Sequence, residues 1–403
     1  MGAVSQQAVT YKEVIMIKPD VKPENNNFSS GPCSKRPGWN SNVLSKAILG
    51  RSHRSNKAKS RINYLIKNVI EILSIPNDYY VGIVPGSDNG AVEIALWNLI
   101  GIQPVQMLVW DSFGNDWAKD LKEQLKVNGL KILKADYGSI PNFDNVNFND
   151  DIIFNFNGTT GGVRVPNLDW IPHNRNGLTI CDATSAAFAM EMDWRKLDVL
   201  TFSWQKCLGG EGGHGILILS PNAVERINTY NPSWPIPKLF NLKKNNKINN
   251  SIFEGSTINT PSLLCIEDFI DALEWAKKIG GLQGLIEISN NNLKLIKGWV
   301  KTTDWVDFLA QDEITISNTS ICLRFSDKIL NELDVQNQML LEKNIVKILE
   351  NENVAYDIGS YRSAPPGLRI WGGPTINPKD IRLLLPWLQW AFEDAYKSLK
   401  KGN

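Results

Sequence analysis

Histidine is scarce in this chain. There are three in 403 residues, His53, His173 and His214, and no His-Glu-x-x-His run occurs. A zincin-type metal site has no material, and no metal is expected. The five cysteines, Cys33, Cys181, Cys207, Cys265 and Cys322, are odd in number, widely spaced and without a Cys-x-x-Cys pair. That excludes a disulfide framework and a zinc ribbon. Scattered thiols suit a reducing compartment, so a cytoplasmic location is expected. No uninterrupted apolar run approaches the ~20 residues of a membrane helix, and the N-terminal stretch lacks the charged-then-apolar layout of a secretory signal. An excess of either charge is missing too: 43 Lys+Arg stand against 42 Asp+Glu, net +1. A nucleic-acid partner, which selects for a basic surface, is therefore not expected.

What is present is the composition of an ordinary folded protein, 42% hydrophobic and 21% charged, with length for two or three domains. Residues 1 to about 28 read as an irregular polar arm. A basic stretch follows (Lys46, Arg51, His53, Arg54, Lys57, Lys59, Arg61, Lys67). Its second half, 57–73, has helical spacing, with Ile62, Leu65, Ile66, Val69 and Ile70 on one face. Short apolar or β-branched runs at 79–84, 105–110, 152–155, 178–181, 199–203 and 215–219 predict strands. Helical spacing at 91–100 and 117–127 alternates with them. That alternation predicts an α/β fold with a mainly parallel sheet covered on both faces. Helical spacing over 261–301, strands at 314–317 and 320–325, and helices at 335–350 and 381–399 predict a smaller α+β unit at the C-terminal end. The Asn-rich run 241–250 reads as a surface excursion.

Gly210-Glu211-Gly212-Gly213-His214-Gly215 fits Gly-x-Gly-x-x-Gly, but a strand follows it instead of a helix, which argues against a dinucleotide site. The informative region is 178–215. One predicted strand ends at Asp182, and another ends at Lys206, followed by a Gly-rich turn. In a parallel α/β sheet the carboxyl ends of strands meet at the ligand crevice, so a carboxylate and a lysine reach one edge. Pyridoxal phosphate chemistry needs that pair: a lysine to form the Schiff base and an aspartate to hold the ring nitrogen protonated. Strand 79–84, the loop Gly86-Ser87-Asp88-Asn89-Gly90 and helix 91–100 supply a phosphate cradle, since backbone N–H groups and the helix dipole favour an anion. Asp88 sits oddly beside a phosphate and is expected to cap the helix through its side chain.

Several motifs now stand in one order: Phe28-Ser29-Ser30-Gly31-Pro32, Ser52-His53-Arg54-Ser55, Asn157-Gly158-Thr159-Thr160-Gly161-Gly162, Trp204-Gln205-Lys206, Ile258-Asn259-Thr260-Pro261 and the late Arg362 and Arg369. In this the chain resembles the phosphoserine aminotransferases from about residue 28 to its end. The resemblance implies a fold-type I pyridoxal phosphate enzyme with a seven-stranded, mainly parallel sheet. It implies an arm and small-domain segment over 1–43, a large cofactor domain over 44–280 and a small C-terminal domain over 281–403. It implies a homodimer with shared active sites. Lys206 would be the Schiff-base lysine and proton shuttle, and Asp182 the ring-nitrogen partner. Thr159 would bond the phenolic oxygen. Ser87 and Asp88 would offer backbone donors to the phosphate with Gln205 nearby, and Asn259 and Thr260 would reach that phosphate from the neighbouring subunit. Trp117 would stack on the ring, with Phe113 as the alternative. Arg369 would clamp the substrate carboxylate. His53 and Arg54 of the neighbouring subunit, with Arg362, would hold the distal anion. Tyr361 stands where some members carry histidine.

The activity implied is reversible amino transfer between O-phospho-L-serine and 2-oxoglutarate, giving 3-phosphohydroxypyruvate and glutamate. It belongs to serine biosynthesis and, in some members, to pyridoxine formation. Alternatives are another fold-type I enzyme, either a small-amino-acid transaminase or a desulfurase using Cys207, or a catalytically silent binding protein.

Overall fold

The computed structural model describes residues 17–361 and 363–402. The main sheet is built from β1 (Tyr80–Pro85), β2 (Val105–Val109), β3 (Leu130–Lys134), β4 (Asp151–Asn155), β5 (Thr179–Asp182), β6 (Val199–Ser203) and β7 (His214–Leu219). Its order is β1-β7-β6-β5-β4-β2-β3. All adjacent pairs are parallel except the two made by β7, which runs antiparallel to β1 and to β6. The seven strands and the mainly parallel character are as expected. β2, β4 and β6 are buried along their whole length, as strands covered on both faces must be. β3 gave no clear strand signal because it is an edge strand, Leu-Lys-Ile-Leu-Lys, with its lysines in solvent.

The helices are α1 (Asn56–Leu73), α2 (Ser87–Leu99), α3 (Ser112–Lys119), α4 (Pro221–Thr229), α5 (Leu263–Lys278), α6 (Gly281–Val300), α7 (Asp327–Glu332), α8 (Val335–Asn351) and α9 (Pro378–Gly402). α1 starts at a Ser55 cap whose hydroxyl accepts from Ala58 N. It buries Ile62, Leu65, Ile66 and Val69 and packs on α5. There Arg61 of the basic stretch makes a two-pronged bond to Glu267, 2.8 and 2.6 Å. A second, antiparallel sheet joins β8 (Val306–Phe308), β9 (Ser320–Phe325) and β10 (Gly367–Trp371), with α8 packed on β10 and α9 packed on α8 and α6. Among the described residues of the arm, 17–28, no helix or strand forms, but the segment is tied down. Trp371 N bonds Phe28 O at 2.9 Å and Glu24 N bonds Asp380 at 2.9 Å. Among the described residues no helix is long and apolar enough to cross a membrane.

Two local expectations need correction, and a third gains its form. The helix expected at 117–127 is α3, capped by Asp111 and ending at Lys119, followed by a wide turn over Asp120–Gln124. Its start follows the Asp111 cap, which the apolar spacing from Trp117 onward does not reveal. The strand expected at 314–317 is a tight turn, Glu313–Thr315, closed by Asp312, followed by a single bridge between Ile316 and Val163. The Asn-rich excursion is a hairpin of Lys243–Lys244 with Lys247–Ile248, anchored by buried Leu242 and Ile248.

Candidate active site

The carboxyl ends of β4, β5 and β6 deliver Asn155, Asp182 and Ser203 to one edge, with Asn155 level with Asp182 and Asp182 level with Thr201 in the strand register. Lys206 follows β6 after one turn. Trp204, sandwiched between His214 (4.5 Å) and Phe269 (4.8 Å), fixes that turn. The Lys206 Nζ bonds Ser30 O, and a Cβ on Gly31 would overlap that Nζ, so glycine is needed where the arm crosses the lysine. Lys206 is 8% exposed. Burial lowers its pKa from the usual lysine range, with the Arg369 charge adding to this effect.

These residues line a cavity of about 260 Å³ together with Gly31, Ser87, Asp88, Phe113, Trp117, Asn157, Thr159, Thr184, Gln205, Gly212 and Gly213. Asp182 is held by three donors: Asn155 Nδ2 at 3.0 Å and Trp117 Nε1 at 3.3 Å on one oxygen, Thr184 N at 2.9 Å on the other. Thr159 Oγ1 donates to Ser185 Oγ at 2.9 Å. Phe113 stacks on Tyr361 at 6.3 Å, and the Arg369 guanidinium lies 4.7 Å from the same tyrosine ring.

At the other end of the cavity, α2 begins without a side-chain cap. Gly86 (φ 87) and Ser87 (φ 51) are both left-handed, and a Cβ on Gly90 would overlap Pro85 O. The helix therefore starts inside the expected loop, which makes Asp88 a first-turn residue, too late to cap. The expected Asp88 cap is wrong. Its carboxyl is 5% exposed and faces inward. Burial, then the Asp182 charge, raise its pKa well above the usual carboxylate range. The first-turn N–H groups are left for an anion.

Thus the structure brings together Lys206, Asp182, Ser87, Asp88, Trp117, Thr159 and Gln205. Within one chain it does not bring His53, Arg54, Asn259 or Thr260 to the cavity lining, and Arg362 lies outside the described residues. Sequence reasoning passed over Asn155, Asn157, Thr184, Ser203 and the Gly212–Gly213 turn as site residues. Polar residues closing otherwise apolar strands were the available signal. Six lining residues (Asp88, Asn155, Asn157, Thr184, Ser203 and Gln205) each keep a buried oxygen with no partner among the described residues. Buried polar atoms are normally bonded, so their convergence marks a place for a polar ligand.

The Aminotransferase class-V family model matches residues 143–337. A phosphoserine aminotransferase of Methanosarcina mazei is 51% identical, over 94% of this chain and 99% of its own length. The chain belongs to the phosphoserine aminotransferase family. The Methanosarcina barkeri member is 50% identical over 93% of this chain and 99% of its own. Among solved structures, a phosphoserine aminotransferase of Cytophaga hutchinsonii matches with a TM-score of 0.77 at 21% identity, covering 90% of this chain and 98% of that one. Against this family background Cys207 has no catalytic posture. It is buried, donates to Ser185 O at 3.7 Å, and burial drives its thiol well above the usual range.

Proposed function

We propose that the chain is a pyridoxal phosphate-dependent phosphoserine transaminase, exchanging the amino group of O-phospho-L-serine with 2-oxoglutarate in serine biosynthesis. The observation that carries this reading is the cavity. It has a buried lysine and a triply bonded aspartate at one sheet edge, unpartnered oxygens between them, and an uncapped helix start at the far end. These residues fit the cofactor: Lys206 for its aldehyde, Asp182 for its ring nitrogen, Thr159 for its phenolic oxygen, Trp117 for its ring face. The Ser87 and Asp88 N–H groups and Gln205 suit its phosphate. When bound, the cofactor supplies the electron sink that makes breaking the substrate Cα–H bond feasible.

The chain's own residues do the rest. Lys206 Nζ takes the Cα proton, and its burial favours the neutral, basic form. Asp182, fixed by three donors, holds the proton on the ring nitrogen. Arg369 clamps the substrate carboxylate, and the Tyr361 ring beneath it limits its swing.

The homodimer belongs to this proposal. His53 and Arg54 would serve the partner's distal-anion site with Arg362, and Asn259 and Thr260 the partner's phosphate, since all four lie away from their own chain's cavity lining. The domain division at 43/44 and 280/281, the cytoplasmic location and a side role in pyridoxine formation are proposed on the same family grounds.

Purified protein assayed with phosphoserine, alanine and serine tests the reading. Phosphoserine should be far the best donor, and equal turnover of alanine would replace the reading with a small-amino-acid transaminase. Mixing Lys206→Ala subunits with Arg54→Ala subunits tests the shared site. Activity should return in the mixed dimer, where one site receives both intact halves, and no recovery would mean that Arg54 serves its own subunit.

A further inference from the structure

The mechanism leaves the Asp88 carboxyl unused. This carboxyl, buried, and that of Asp182, partly exposed, line the same cavity, contributed by the first turn of α2 and the end of β5. Two carboxylates that act on each other do not ionise independently, and the more deeply buried one is the costlier to charge. The donor set decides which keeps the charge. Asn155, Trp117 and the Thr184 N–H all point at Asp182, whereas Asp88 meets only the hydroxyls of Thr201 and Thr184, which offset its burial in part, and its Oδ1 is buried with no partner among the described residues.

We propose that Asp88 is the positioning acid of the site: it shares one proton with Asp182, keeps it, and donates it as a hydrogen bond that holds Asp182 as a carboxylate toward the cofactor ring. This rests on the functional reading above and extends it to a residue outside the Lys206–Asp182 pair.

The surroundings agree. The groups facing Asp88 are Asp182 and Cys181 from β5, the neutral Thr184 after it, and Thr201 from β6. Asp111 and Lys206 act on Asp182 from the cap of α3 and from the turn after β6. Burial is the largest cause of its raised pKa and the neighbouring Asp182 the next. Asp88 is a positioning residue because it acts through Asp182. Its backbone N–H remains free for the cofactor phosphate.

The test uses the holoenzyme and two variants. Infrared difference spectroscopy between wild type and Asp88→Asn at neutral pH should show the carbonyl stretch of a protonated carboxylic acid in wild type only. The amide of Asp88→Asn replaces the donor, so kcat should fall only about threefold. Asp88→Ala removes the donor and should lower kcat by about one to two decades, with the KM for phosphoserine changed less than about twofold. The ring-nitrogen titration seen in the visible spectrum should shift in the alanine variant alone. A spectrum with no such band in wild type, or an asparagine variant as impaired as the alanine one, overturns the proposal. The band reads the Asp88 proton whatever the substrate, so the substrate assays can fail without it and it can fail without them.

Discussion

The two edges of the main sheet carry the same raw material and use it in opposite ways. At the amino edge, Asp151 opens β4 and Asp198 precedes β6, both buried. Each has its own arginine. Arg226 Nη1 reaches both Asp151 oxygens at 2.7 and 2.6 Å, and Arg175 Nη2 reaches Asp198 at 2.7 Å. Leu178 N, Thr179 N and Ser220 Oγ complete the coordination. At the carboxyl edge, Asp88 and Asp182 line one cavity and the charge of one acts on the other, no arginine partners either among the described residues, and the atoms around them include unpartnered oxygens. A buried charge with its counter-ion closes a structure. A buried carboxyl without one waits for a ligand or holds a proton. The presence or absence of a counter-ion thus separates a structural acid from a functional one.

Substitutions should separate the edges cleanly, beginning at the carboxyl edge. Lys206→Ala should abolish turnover, because base and covalent anchor vanish together. Borohydride treatment of the wild type should place the cofactor's mass on the peptide holding Lys206, and label on Lys196 instead would end that assignment. Asp182→Ala should lower amino transfer by roughly two to three decades, the scale of losing a preorganised charge partner, with the melting temperature little changed. Near-normal activity would give the ring nitrogen another partner.

At the amino edge the pattern should invert. Arg226→Ala strands Asp151 and should cost about 3–5 kcal/mol of stability, while kcat/KM per folded molecule stays within about twofold. Loss of activity without loss of stability would mean that the two edges are coupled.

The smallest effect concerns His214, which joins the edges through β7. Burial pulls its pKa down to about 4. The unfolded histidine takes up a proton near 6.5, so the stability tied to this residue is present above that pH and is lost as pH falls toward 4. Unfolding measurements across this window should show wild type losing up to about 3 kcal/mol more than His214→Gln. Parallel curves would show that the imidazole is not held neutral.

Much of this was legible before any coordinates. β6 at Val199–Ser203 lies where its apolar run predicts, because a strand covered on both faces must be continuously hydrophobic. Lys206 and Asp182 stood out because strand ends in such a sheet meet at the ligand crevice. β3 and β10 were missed for a common reason: an edge strand and a Gly-Leu-Arg-Ile-Trp run show no clean alternation. Asp88 was misread because capping is decided by one residue of helix register, which two left-handed residues shifted.

Local chemistry in the chain therefore determined the strand and helix succession, the absence of His- or Cys-based metal motifs and the two residues at the centre of the site. Each of these depends on neighbours a few positions apart, and the chain order records such neighbours. Tertiary structure alone decided that Asn155, Asn157, Thr184 and Ser203 converge with unpartnered oxygens, that Asp151 and Asp198 find arginines, and that Asp88 lines the same cavity as Asp182 instead of capping its helix. Those outcomes join residues tens of positions apart and turn on burial and partner count, quantities that exist only once the sheet has brought its edges together.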